Sequence, residues 1–194
     1  KMTQLIETAN FEATVLRPPR GKFETVDGPL LLLHACSASY GVELDTLYSP
    51  LPTFAGGSDP RKHLTLQLEV SDEAAAGFAR LDEACEALSI GGHGDWPPSV
   101  RAPEGRGRNI VKVRIHLEGE RATCVRSGEG EIKTGWEHLG PILLQQANLK
   151  GRSLKVAIRS QYVWNVSGKR GLTLALDQLV IQESEQAARV DHFA

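Results

Sequence analysis

Two runs of this chain alternate apolar and polar residues cleanly. In HLTLQLEV, Leu64, Leu66, Leu68 and Val70 share one face while His63, Thr65, Gln67 and Glu69 share the other. A period of two predicts a strand covered on one side only. NIVKVRIHLEG repeats the pattern, with Val111, Val113, Ile115 and Leu117 opposed by Lys112, Arg114 and His116, so its outer face is basic. Between the two strands the period lengthens. Phe78, Leu81, Cys85 and Leu88 recur at helical spacing behind Ser71, a good N-cap, with Asp72 and Glu73 in the first turn. That predicts an amphipathic helix from about Asp72 to Leu88, packed on the sheet and ended by the glycines of SIGGHG.

The remaining elements are shorter. Phe11–Arg17 predicts a strand closing on the basic turn RPPRGK, Leu30–Ala35 a buried strand, and Arg121–Arg126 a short β-prone segment before the turn SGEGE. Trp136–Gln146 is ambiguous. SPLPTFAGGSDPR and WPPSVRAPEGRGR, dense in Pro and Gly, predict long surface loops. Near the C-terminal end SLKVAIRSQYVWNVSGKRGLTLALDQLVI predicts two strands joined by the turn NVSGKRG. The order, strands then one helix then strands without a repeat, points to a mainly β protein: a small closed or partly open barrel with one packed helix and long loops. The OB-fold is the commonest such barrel. We expect one domain over residues 1–183 and a short C-terminal tail over 184–194.

Composition narrows the function classes. At 194 residues the chain suits one well-buried core. A net charge of -2 gives no global attraction to nucleic acid or to an anionic membrane, so any such attraction has to be local. The longest apolar run, PLLLLHAC, is too short to span a bilayer, and KMTQLIETANFEA lacks the layout of a secretory signal. Cys36, Cys85 and Cys124 form neither a disulfide framework nor a CxxC half-site. A reducing cytoplasmic or nuclear setting is the expectation. No phosphate loop, dinucleotide fingerprint or nucleophile elbow occurs, the six histidines are scattered without HxH or HExxH spacing, and the carboxylate pairs sit in helix turns or loops. We expect no enzyme, no metal and no cofactor.

Charge is segregated in one place. From Leu149 to Gly171 the chain carries Lys150, Arg152, Lys155, Arg159, Lys169 and Arg170 and no acid. Lys112 and Arg114, with Arg101, Arg106 and Arg108 from the preceding loop, extend a prospective basic groove. Tyr162 and Trp164, spaced by two, share a face on a strand. Cations beside paired aromatics suit single-stranded nucleic acid, because the cations meet phosphates and the rings stack on bases of any identity. Yet both aromatics also share parity with Leu154, Val156 and Ile158. A place in the core therefore competes with the groove, unless a bulge near Ser160 switches the face.

The segment from Ser153 to Ile181 also resembles the corresponding part of the single-stranded DNA-binding proteins of short-tailed coliphages of the T-seven type, with their lysine-rich strand, Tyr-x-Trp-Asn core, small turn and closing strand of alternating leucines. KHLTLQLEVSD, NIVKVRIHLEG and Phe11–Pro18 carry weaker likenesses, and Phe23–Arg61 has no counterpart. The resemblance implies a bacteriophage OB-fold protein that coats single-stranded DNA in replication, recombination and repair, removes secondary structure and promotes annealing. Carried over, Tyr162 and Trp164 become stacking residues and Lys155 and Arg159 phosphate contacts. Lys112 and Arg114 come from the groove argument, and Arg17 from the N-terminal match. The family's long acidic tail supports dimerisation and recruits polymerase and helicase; the corresponding ESEQAARVDHFA departs from it in its sparse acids, Glu183, Glu185 and Asp191, although Phe193 stands one residue from the end, so either a different surface does this work or the tail is a short peptide. The competing expectation is an OB-fold protein-interaction module of a replication or virion assembly, its basic strand docking an acidic peptide.

Overall fold

The computed structural model describes residues 15–16, 23–28, 30–38, 43–44, 64–89, 94–102, 107–116, 120–127 and 153–182. In chain order these form β1 (Val15–Leu16), β2 (Phe23–Asp27), β3 (Leu31–Ala38), β4 (Glu43–Leu44), β5 (Leu64–Val70) and α1 (Asp72–Leu88). β6 (Val100–Arg101), β7 (Asn109–Ile115), β8 (Cys124–Ser127), β9 (Ser153–Val166) and β10 (Lys169–Ile181) follow. The helix and the two alternating strands fall where their periods place them. β2, whose FETVD sequence lacks a clean apolar alternation, was not foreseen. Arg17, the SGEGE turn, Trp136–Gln146 and the tail over 184–194 lie outside the described residues.

Five strands close on themselves. β3 pairs with β5, β5 with β7 and β10 with β9 in antiparallel fashion, while β7 and β10 run parallel and β9 returns antiparallel to β3. This closed five-stranded arrangement is that of the OB-fold, in which the second and third strands, here β5 and β7, present the binding face. β2 lies in line with β3 along the same edge of β9, with Phe23–Thr25 opposite Trp164–Tyr162 and Leu31–Leu33 opposite Ile158–Val156. Pairs of β1 with β2, β4 with β5, β6 with β7 and β8 with β10 extend the sheet outside the ring.

The inward residues are those that the alternation selects: Leu66, Leu68, Val111, Val113, Ile115, Leu154, Ile158 and Leu176 are buried. Each such side chain contributes roughly 1.5–3 kcal/mol on leaving water. The helix adds Phe78, Leu81 and Cys85 to the same cluster, but Leu88, the last member of its predicted stripe, is exposed. Ser71 caps the helix by accepting a hydrogen bond from the Ala74 N–H at 3.2 Å. At the other end Ser89 ties the helix to β2, its hydroxyl donating to buried Glu24 Oε1 at 2.6 Å. Among the described residues no helix is long and apolar enough to cross a membrane.

β9 changes faces part-way along. Leu154, Val156, Ile158 and Ser160 are buried at even positions, and then Val163 is buried at an odd one. The cause is one extra residue: Leu174 pairs with Ser160 and the adjacent Thr173 with Tyr162, so Gln161 has no partner on β10. Farther along, Asp177 is the extra residue of β10, between Leu176 and Gln178. The hairpin joining the two strands is a two-residue turn in which Ser167 (φ 52°) and Gly168 (φ 76°) both adopt positive φ. Such a turn follows the twist of the strands, and it favours Asn over Ser at its first position. Ser167→Asn is therefore expected to raise the unfolding free energy by about 0.5 kcal/mol in a denaturant titration, leaving the slope unchanged.

Candidate nucleic-acid interface

A groove of about 470 Å³ crosses the outside of the barrel. Its floor comes from Thr65 and Gln67 of β5, Ile110, Lys112 and Arg114 of β7 and Leu172–Leu174 of β10, with Trp164 of β9 on one side. Pro97, Pro98, Ser99 and Arg101 form the opposite lip. It occupies the face of the second and third ring strands, where the OB-fold binds oligonucleotides. Arg101 and Lys112 are exposed and Arg114 is half-buried, and none of the described residues lining the groove carries a carboxylate. The potential in it is positive despite the net charge of the chain, because charges beyond roughly 8 Å are screened at physiological salt.

Trp164 owes its position to a glycine. It pairs with Gly171 across the hairpin, and a Cβ added to Gly171 would stand 2.6 Å from the indole Cζ2 and 2.9 Å from Cε2. The ring therefore lies against bare backbone on one face, with the indole among the groove lining. Tyr162 sits two residues earlier on the same side. Arg114 Nη1 donates to its hydroxyl at 2.7 Å, and the guanidinium carbon lies 5.8 Å from the ring centroid. Because this partner is neutral, the charge of Arg114 is not cancelled.

The lip is held from beneath by a buried carboxylate. Asp82 of the helix accepts from Ser99 N–H at 2.7 Å, from Ser99 Oγ at 2.6 Å and from Trp96 Nε1 at 3.3 Å. Burial raises its pKa, while the Ser99 and Trp96 bonds pull the other way and Glu86 adds to the rise. Trp96 in turn lies 5.6 Å from the guanidinium of Arg170, a buried cation that reaches Glu86 at 3.6 Å. The Asp95 backbone bridges the same hairpin, its N–H donating to Gly168 O and its carbonyl accepting from Arg170 N–H. Helix, lip and hairpin are thus joined by polar contacts that cross between elements, although the buried Arg170 Nε makes no hydrogen bond.

The residues proposed from the sequence do not all converge. Lys112, Arg114 and Trp164 line the groove, and Tyr162 adjoins it through Arg114. Lys155 is exposed but stands before the change of face, outside the groove lining. Arg159 also lies outside it, engaged by Asp177 Oδ1 and by the Arg121 carbonyl, both at 2.7 Å. Arg170, counted with the basic stretch, is buried under Trp96. Arg17 lies outside the described residues. Asp82, Trp96, Pro97 and Gly171 were missed. Only Gly171 had a legible signal, since counting outward from the Ser167–Gly168 turn places it opposite Trp164.

No family model and no curated protein matches the sequence. Solved structures do. The single-stranded DNA-binding protein of bacteriophage Enc34, as a C-terminal truncation, aligns over 90% of this chain and 97% of its own with a TM-score of 0.50 at 11% identity. This chain shares the fold of a phage single-stranded DNA-binding protein. The same Enc34 protein in complex with single-stranded DNA aligns at a TM-score of 0.48 and 13% identity over 90% of this chain and 97% of that one. For gp2.5 of bacteriophage T7 the values are 0.37 and 17%, over 82% and 97%. The expected mainly β, OB-type architecture is borne out by the ring of strands and the one helix among the described residues, and the first alignment agrees with it.

The contact between Trp164 and Gly171 predicts non-additive stability. Gly171→Ala should cost roughly 1–3 kcal/mol by overpacking in the native background and less than about 1 kcal/mol in a Trp164→Ala background. Equal costs in the two backgrounds, measured by chemical denaturation, would mean that the indole does not rest on Gly171.

Proposed function

We propose that this chain is a non-catalytic single-stranded DNA-binding protein that coats DNA with little sequence preference. The observation that carries this reading is the acid-free groove in which an indole backed by glycine stands beside Arg101, Lys112 and Arg114. Stacking on such a ring is indifferent to base identity, and cations along a groove follow the phosphates rather than the sequence. The likeness in fold to the single-stranded DNA-binding protein of bacteriophage Enc34 supports the same reading. Tyr162 acts beside Trp164, held by Arg114. Work in phage DNA replication, recombination and repair, homodimerisation, and recruitment of polymerase and helicase belong to this proposal as the family resemblance implies them.

Stacking is worth roughly 1–3 kcal/mol per base, so Trp164→Ala is expected to weaken binding of an oligothymidylate about 5- to 150-fold, and Tyr162→Ala by no more than that. Three groove cations imply that log K falls against log salt with a slope of about -2. Fluorescence titrations with single-stranded DNA, duplex DNA and RNA of equal length check these values. Normal binding by both variants would remove the stacking role. Binding to duplex alone would sink the proposal, and capture of an acidic protein without any DNA binding at low salt would favour the protein-interaction module.

A further inference from the structure

Beside the groove three arginines from different elements, Arg114, Arg121 and Arg159, lie near enough to the His116 imidazole to act on it electrostatically. Ala175 of β10 pairs with Arg114 on one side and Arg159 on the other, so these two arginines occupy one row across the sheet. Arg159 Nη2 donates to the carbonyl of Arg121, which brings the turn before β8 onto the same row. That turn is tied down: Thr123 N–H donates to the His116 carbonyl at 2.7 Å, His116 N–H donates to Thr123 Oγ1 at 3.0 Å, and buried Thr123 Oγ1 donates to the Leu176 carbonyl at 2.7 Å. The His116 ring meets Gln161, the bulged residue, with Nε2 3.2 Å from Oε1.

The balance of charge in this cluster is uneven. Asp177 neutralises Arg159, the partner of Arg114 among the described residues is a phenol, and Arg121 is exposed. Glu120 adjoins Arg121 in the chain. The half-buried imidazole contacts Gln161 of β9 and feels the charges of Arg114 from β7, Arg121 from the turn and Arg159 from β9, the last paired with Asp177 of β10. Burial, followed by the three arginines, holds the His116 pKa below 6.5, against the opposing bond to Gln161. Grouped like charges cost free energy unless an anion joins them. Because Arg114 belongs to both the groove and this cluster, the anion at hand is the backbone of the strand already in the groove.

We propose that Arg121, with His116 and the row formed by Arg114 and Arg159, makes a second phosphate subsite, which takes a phosphodiester of the same DNA strand beyond those in the groove. The inference rests on the proposed function. It gives Arg159 a supporting place outside the groove and assigns Arg121 a direct contact. Phosphate arriving there favours protonated His116, so binding takes up a proton: affinity for a strand long enough to reach the subsite rises as pH falls through the titration of His116.

The test compares oligothymidylates of about 4 and about 16 nucleotides, the range of site sizes for an OB-fold, on the full chain. Arg121→Ala is expected to weaken the longer one about tenfold and to make its salt slope shallower by about 0.7, leaving the shorter one unchanged. The NMR titration of His116 should move to higher pH with the longer oligonucleotide only, and His116→Gln should remove the extra pH dependence of the longer one. Equal effects of Arg121→Ala on both lengths, or none on either, would overturn the subsite while leaving the groove reading intact. Failure of the unaltered protein to bind either length would instead remove the groove reading and the subsite with it.

Discussion

The single extra residue at Gln161 governs what this barrel presents to solvent. Strict alternation through β9 would carry the buried parity of Leu154, Val156, Ile158 and Ser160 on to Tyr162 and Trp164, driving two large rings into an interior already filled by leucines, valines and isoleucines from β5, β7 and β10. The bulge turns the strand so that Val163 takes the inward place and both aromatics stand outside. Once outside, the indole meets Gly171 and the phenol meets Arg114. The extra residue of β10, Asp177, meanwhile supplies the carboxylate that holds Arg159.

Among the described residues, carboxylates serve the groove without entering it. Asp82 fixes the lip through Ser99 and Trp96, Glu86 faces Arg170, Asp177 faces Arg159, and Glu69 pairs with Arg108 at 3.1 Å. A carboxylate so placed offsets part of the charge of its cation, which then contributes less to the field met by a ligand. Arg101 and Lys112, together with Arg114 and its uncharged partner, remain to give the groove its sign. A chain of net charge -2 can in this way hold a locally positive path, because solvent and salt weaken the distant acids far more than the adjacent bases. The hydrogen-bonded lip matters for the same reason, since cations and rings held in place lose less entropy on binding than free ones.

Much of the fold was legible. The helix from Asp72 to Leu88 follows from its period and its Ser71 cap, and the strands around Leu66 and Val113 from their alternation. β2 escaped notice because FETVD buries Glu24, whose carboxylate is satisfied by Ser89 of the helix end, a partner 65 residues away. The site was legible in part. Lys112 and Arg114 show in the polar half of an alternating strand, and Tyr162 and Trp164 show as aromatics in an acid-free stretch. Arg159 and Arg170 look equivalent to them in sequence, but their surroundings differ: one is engaged by a bulged aspartate and the other is covered by Trp96.

The sequence by itself determined which segments pair their apolar faces, where the helix begins and where basic and aromatic residues are concentrated, because periodicity, capping and local composition act within a few residues. Tertiary structure alone decided the direction of Tyr162 and Trp164, the assembly of the lip on Asp82 and the division of the cations into engaged and available. Those outcomes depend on a one-residue difference in strand register and on partners brought together by ring closure. No local pattern encodes the contact of an arginine with a phenol 48 residues away.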